Sequence, residues 1–336
     1  METGPDRGSH GEPAADALPA VERYPGALCA RFEAYDDFLA DDEAEALRAP
    51  IDAHFSEPHQ HSFDTHFVWN YWYVPGLYTY LRAAPEKVIP HERVAAFHDA
   101  MTRWATETLG LADVSWPILS LYVDGCGQGI HNDSANGRFG YVYSLTRDRQ
   151  GRGGETIVFK EGDPFRSRMR QADAGTGLYD LVAPIFNRLV LFDDRMPHGV
   201  QRIEGSMDPI DARIVLHGHI SEAGPILDGP LPARFVEAAR EAALDAALAA
   251  FPETGPLHHG PLCVRLEIAP HGRVSDCRVL VHRVARSDGG DPDPLVDDIV
   301  DGLATSRFPA ASAPTVAILQ ILTGGPLPLA AERMGV

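Results

Sequence analysis

In the stretch GIHNDSANGRFGYVYSLT, residues 129–146, a histidine and an aspartate, His131 and Asp133, stand two positions apart just ahead of a run that alternates like a strand. Residues two apart on an extended chain point to the same face, so both side chains can reach one metal ion. A third ligand must come from elsewhere. FNRLVLFDDRMPHGV ends a later strand pattern with His198, while His217 and His219 in RIVLHGHI compete for the same role. Two histidines and one carboxylate form the facial set that suits non-haem iron and leaves three coordination positions open. Two of these can take a bidentate cosubstrate and the third can take dioxygen. A bidentate 2-oxoacid also needs a grip on its far carboxylate. Arg213, which opens the RIVLHGHI strand, offers a planar fork that pairs with a carboxylate through two parallel charge-assisted hydrogen bonds.

The elements that must position these residues are readable in outline. From Trp116 onward short β-branched and aromatic runs alternate with Gly, Asp and Asn: WPILSLYV, FGYVYSLT, ETIVF, LYDLVAP, NRLVLFD and RIVLHGHI. That spacing, with no helix-length pattern between the runs, predicts antiparallel strands in a sandwich or barrel, with the site residues lining a double-stranded β-helix. Gly153 and Gly154 fit turn chemistry between two of the strands. Ahead of the strands, CARFEAYDDFLADDEAEALRAPIDAHF reads as a short strand and then a helix. Asp41 or Asp42 is its expected cap, and Ala44, Leu47 and Ile51 its apolar stripe. A second helix spans HERVAAFHDAMTRWATETLG and is closed by Gly110. Between them, residues 54–80 are dense in histidine and aromatics and are the expected lid over the substrate.

The fold class is therefore α+β: a jelly-roll domain over residues 24–221 with flanking N-terminal helices, preceded by a disordered leader at 1–23. A linker and helix follow at 222–256, then a small α+β unit at 257–325 and a tail at 326–336. Against 29 Lys and Arg the chain carries 48 Asp and Glu, a net charge of −19. Its field repels phosphate backbones and anionic surfaces, so neither nucleic acid nor membrane is an expected partner. Four cysteines, Cys29, Cys126, Cys263 and Cys277, lack close paired spacing, which fits a reducing compartment better than a disulfide framework. With no long apolar run and no secretory order at its start, the sequence reads as soluble and cytoplasmic.

Over about residues 27–221 the sequence resembles the 2-oxoglutarate and Fe(II)-dependent dioxygenases, in their prolyl-hydroxylase-like branch. The matching features are Tyr122 to Gly125 as Y-x-x-G, the H-x-D of His131 and Asp133, Arg138, GGETIVF, the distal His198 in MPHGV, and Arg213. The resemblance implies that His131, Asp133 and His198 bind iron. It also implies that Arg213 holds the C5 carboxylate of 2-oxoglutarate and that Tyr122 contacts this cosubstrate. It favours His198 over His217 and His219, because MPHGV sits where the family places its ligand. The implied activity is hydroxylation of a C–H bond in an amino-acid, peptide or peptide-derived natural-product substrate by dioxygen, with release of succinate and CO2 and with ascorbate as a possible accessory reductant. Desaturation or cyclisation would use the same residues. Two other readings stand beside it, an oxygenase of nucleic-acid bases and a non-catalytic binding module on the same scaffold. The sequence departs from the family in RIVLHGHI, where many relatives carry an aromatic residue after the glycine, and in the aromatic segment from Trp69 to Tyr73. Residues 257–325 resemble, at the level of pattern, the C-terminal domain of TonB-type proteins. That implies a small sheet whose edge can take a peptide or a second copy of the chain.

Overall fold

A computed structural model describes residues 23–56, 68–147, 151–160, 177–251, 255 and 257–323. The leader expected at 1–23, save its last residue, and the tail expected at 326–336 lie outside these. Along the chain run β1 (Phe32–Tyr35), helix α1 (Asp41–Ser56), the hairpin of β2 (Asn70–Val74) and β3 (Tyr78–Ala83), and helix α2 (His91–Thr108). A strand-rich stretch follows: β4 (Asp113–Val114), β5 (Ile118–Tyr122), β6 (Gly127–His131), β7 (Phe139–Ser144), β8 (Gly151–Arg152), β9 (Thr156–Phe159), β10 (Tyr179–Val182), β11 (Leu189–Asp193), β12 (His198–Val200), β13 (Glu204–Gly205) and β14 (Arg213–Ser221).

Twelve strands join one sheet in the order β1-β11-β7-β14-β5-β3-β6-β12-β9-β10, with β2 added on β3 and β4 on β14. Each of its pairings is antiparallel. The sheet curls towards a barrel. Phe192 on β11 and His198 on β12 have ring centroids 4.3 Å apart, although β7, β14, β5, β3 and β6 lie between their strands along the path. Alternation sorts the side chains: Arg213, Val215 and His217 of β14 face the inner cavity, while Ile214 and Leu216, fully buried, join the core beneath α2 through Val94, Phe97, Met101 and Ala105.

Helix α1 buries Ala44, Leu47 and Ile51 as its stripe predicts. Its capping differs from expectation. Asp41 and Asp42 lie inside the first turn, against the positive end of the helix dipole, and the Glu43 carboxylate reaches back to accept from the Ala40 N–H at 3.3 Å. Arg48 is fully buried, which the amphipathic pattern does not predict. Its guanidinium donates to Asp52 at 2.7 Å and to the carbonyls of Leu145 at 2.7 Å and Ile210 at 2.9 Å, stapling the helix to two segments of the sheet domain. Arg48→Met keeps the stem's packing but orphans these acceptors, and is expected to cost about 3 kcal/mol. A lowered thermal midpoint by calorimetry checks this, and a midpoint equal to the parent's would show that water satisfies the acceptors at no cost.

The C-terminal part holds β15 (Ile226–Asp228), helix α3 (Ala233–Ala249), β16 (His258–Ile268), β17 (Val274–His282), β18 (Ala285–Arg286), helix α4 (Asp293–Ala304) and β19 (Thr315–Thr323). Its sheet runs β15-β19-β16-β17, with β18 on β16. Two expectations about its borders change. Residues 222–256 are more than a connector, because β15 pairs with β19 and α3 buries Val236, Ala243 and Ala247 in the same apolar cluster as Leu262 and Leu319. The N-terminal end also crosses over: Leu28 forms a parallel bridge with Val281, and Tyr24 and Ala27 pack on that cluster.

The two sheets meet across buried contacts. Gly110, at φ +71°, ends α2 as predicted, and a Cβ there would stand 2.6 Å from Cγ2 of Ile318. Its carbonyl accepts from Gln320 at 2.6 Å. Thus one glycine answers two demands, a left-handed helix end and a close approach of the second sheet.

Candidate active site

The site begins at the β6–β12 pair, where His131 lies opposite His198. His131 is the last residue of its strand and Asp133 lies beyond it in a turn, so the pleat alone does not align them as the spacing suggests. The turn is pinned by backbone bonds: the Asp133 N–H donates to the Asp194 carbonyl at 2.9 Å, and the Asn136 N–H donates to the Asp133 carbonyl at 2.7 Å. The outcome is convergence. Asp133 Oδ2 lies 3.8 Å from His131 Nε2 and 3.3 Å from His198 Nε2. The three residues offer ligand atoms all within 4.8 Å of one another.

The donor set suits a cation. Nδ1 of His131 lies 2.8 Å from the Gly129 carbonyl and Nδ1 of His198 lies 3.0 Å from the Met196 carbonyl. A carbonyl accepts only, so each ring carries its proton on Nδ1 and turns the Nε2 lone pair towards Asp133. Neighbouring ligands on a metal with bonds of roughly 2.1 Å stand about 3 Å apart, so the observed spacings need only a slight contraction. Burial, together with the charge of His198, lowers the His131 pKa and favours the neutral ring. Burial pushes the Asp133 carboxyl up, but whenever the rings take up a second proton on Nε2 the hydrogen bond and charge of His198 and the charge of His131 outweigh it, and its pKa is lowered.

Arg213 and Tyr122 lie opposite each other on β14 and β5, both essentially fully buried. The guanidinium sits 4.7 Å from the centre of the Tyr122 ring and donates to Thr156 Oγ1 at 3.3 Å. Tyr80 stacks on Tyr122, ring centroids 4.9 Å apart and 15° from parallel. Burial raises the Tyr122 pKa even though the Arg213 charge opposes the rise, so its hydroxyl stays protonated. These residues and the His131, Asp133 and His198 group open on one cavity of about 610 Å³, a size suited to small-molecule ligands.

Other residues singled out by sequence fall elsewhere. Arg138 forms a two-pronged pair with Glu222 at 2.8 and 2.6 Å, outside the ligand group. Gly153 has φ +82°, and a Cβ on it would meet the Arg202 carbonyl at 1.9 Å, so its role is one of backbone shape. His217 lines the cavity and hydrogen-bonds through Nε2 to Ser120 Oγ at 2.8 Å. Burial, then the charge of Arg82, pushes its pKa down to about 3, so it is neutral. Of the expected lid, residues 57–67 lie outside the described residues, and from the remainder Trp72, Tyr78 and Tyr80 line the cavity.

Sequence reasoning missed Asp194. Fully buried, it accepts from His219 Nδ1 at 2.9 Å through Oδ2, and burial lifts its pKa to about 6 despite that partner. With Asp133 and His219 it forms a second group of close ligand atoms. Its neighbour Asp193, also fully buried, accepts from Arg195 at 2.9 and 2.5 Å and from Arg283 of the C-terminal part at 3.0 Å. The second sheet therefore helps to hold the corner that precedes His198. The only signal in the sequence was the pair of aspartates in FDDRMPH, a strand end with more acid than a turn needs.

No family model and no curated protein matches the chain. Among solved structures, it is similar to a prolyl-4-hydroxylase from Pseudomonas putida, with 19% identity and a TM-score of 0.41 over 60% of this chain and 95% of that one. It is similar also to a prolyl hydroxylase from Trichoplax adhaerens in complex with a hypoxia-inducible-factor peptide fragment (14% identity, TM-score 0.40, 56% and 81% covered). A third is the non-haem α-ketoglutarate-dependent carbocyclase SnoK from nogalamycin biosynthesis (15%, 0.39, 64% and 88%). At such levels of identity and overlap, function has to be read from the side chains of the site itself.

Proposed function

We propose that the chain is a jelly-roll Fe(II)- and 2-oxoglutarate-dependent oxygenase that hydroxylates a C–H bond of an amino-acid, peptide or peptide-derived natural-product substrate, with release of succinate and CO2. The observation that carries this reading is that two histidines and a carboxylate, their lone pairs turned inwards, open on the same cavity as a buried arginine. A metal site alone would suit many reactions. A buried guanidinium on its wall adds what a dicarboxylate cosubstrate needs.

Bound here, ferrous iron with 2-oxoglutarate and dioxygen supplies the oxidising power, and the chain supplies placement. His131, Asp133 and His198 would hold the metal and would leave part of its coordination sphere for ligands. Arg213 would pair with the far carboxylate of the cosubstrate, and the buried, stacked Tyr122 and Tyr80 rings would keep water from it. Net charge of −19 disfavours a nucleic-acid substrate.

The test is succinate formation by purified protein reloaded with Fe(II) under oxygen, with and without ascorbate, followed by a mass-spectrometric screen of peptides and amino acids for the gain of one oxygen. Turnover of 2-oxoglutarate that needs iron is the expected result. Its complete absence in folded, iron-binding protein overturns the reading.

A further inference from the structure

Among the described residues, Arg82 is a cation with no acid paired to it. It projects from β3 on the same face as Tyr78 and Tyr80, into the wall of the 610 Å³ cavity. Among the described residues no carboxylate lies within ion-pair distance of its guanidinium, although the chain carries an excess of acids. Instead its guanidinium carbon stands 5.0 Å from the centre of the Trp72 ring. Its charge is felt inside the cavity, where it is the largest electrostatic influence on His217. A half-buried arginine with an aromatic plate on one side and, among the described residues, no counter-ion is poised for an anion supplied from solution.

A second hollow of about 490 Å³ adjoins the first and shares Trp72, Arg82 and Ile118 with it. Its far side holds Trp116, whose indole N–H donates to Glu86 at 2.8 Å. Arg82 and Trp72 line both hollows, so a ligand that spans them lies against this pair. The outer hollow is lined by one acid, Glu86, and one guanidinium, Arg82, so a multiply charged phosphate would be poorly offset there. A single carboxylate matches the single fork.

We propose that Arg82 is the substrate-specificity residue of this site and binds a carboxylate on the substrate, whose apolar body extends past Trp72 towards Trp116. The inference deepens the oxygenase reading, naming an acid-bearing substrate for it, but its geometry stands without that reading. Arg213 is the deeper of the two cations, essentially fully buried beside Tyr122, and is left for the cosubstrate. Arg82, only partly buried, meets what enters after it.

The experiment measures binding rather than turnover, so failure of the oxygenase reading leaves it interpretable. N-acetylphenylalanine and its carboxamide are titrated into the full-length protein with excess 2-oxoglutarate present, following tryptophan fluorescence and ligand-observed NMR. The acid is expected to bind at least tenfold more tightly than the amide. Arg82→Gln should abolish that preference, and Arg82→Lys should keep part of it, since the ammonium retains charge but loses the fork. Circular dichroism confirms folding, and the affinity for 2-oxoglutarate should be unchanged in both variants. Equal binding of acid and amide by the parent protein overturns the proposal, as does undetectable binding of both. A preference that survives Arg82→Gln, or an acid displaced by added 2-oxoglutarate, assigns the anion to Arg213 and also overturns it.

Discussion

Asp133→Ala is expected to remove the metal affinity of the chain while leaving its fold in place. The side chain is about one-fifth exposed and accepts a long hydrogen bond from Asn136 at 3.2 Å, so little packing is lost. The backbone bond from Asp133 to the Asp194 carbonyl does not depend on the carboxylate. What is lost is the only anion of the triplet. Removing partners that merely orient a ligand costs metal sites about 10- to 100-fold in affinity, so deleting a ligand should cost on the order of a hundredfold or more. Calorimetric titration of Fe(II) or Mn(II) into the anaerobic apoprotein measures it, and succinate formation should vanish in parallel. Parent-like affinity would sink the assignment.

Because Asp133 also belongs to the group with Asp194 and His219, a second pair of variants separates the choices. His198→Ala should lose the metal and His219→Gln should retain it. His217→Ala should retain it too, since Nε2 of His217 is engaged by Ser120. The reverse pattern would move the ligand role to β14.

Arg213→Ala should raise the 2-oxoglutarate requirement steeply and leave metal affinity alone, because the guanidinium is not a ligand. Truncating one partner of a buried charge pair costs roughly 2 to 5 kcal/mol, equivalent to a factor of about 30 to several thousand in binding. Lys at this position should recover only a part, since a point charge does not reproduce a fork matched to a carboxylate. Titration of 2-oxoglutarate into the anaerobic Fe(II) protein, following the visible charge-transfer band of chelation, gives the number. Parent affinity in the Ala variant would remove Arg213 from the role. An alternative cation, Arg188, is held in a two-pronged pair with Asp36 and is not among the residues that line the cavity.

Much of the scaffold was legible in the sequence for a simple reason: strands and helices announce themselves through local periods. The alternation in FGYVYSLT and RIVLHGHI became β7 and β14, the spacing of Ala44, Leu47 and Ile51 became the buried stripe of α1, and Gly110 ended α2 at positive φ. The candidate metal residues were visible as residue types, but the way they meet was not. Asp133 reaches His131 through a turn held by the Asp194 carbonyl, a partner about sixty positions away that no local spacing encodes. Arg48 looked like the solvent face of a helix until the carbonyls of Leu145 and Ile210 arrived to bury it. The segment 222–256 looked like a connector because β15 is three residues long, too short to show a period, and exists only by pairing with β19. Apolar patterning thus determined which residues turn inwards and hence the elements and the core. The tertiary structure decided which polar groups share a cavity, because a hydrogen bond or a ligand set is a matter of a few ångströms between distant strands, set by curl and register rather than by sequence distance.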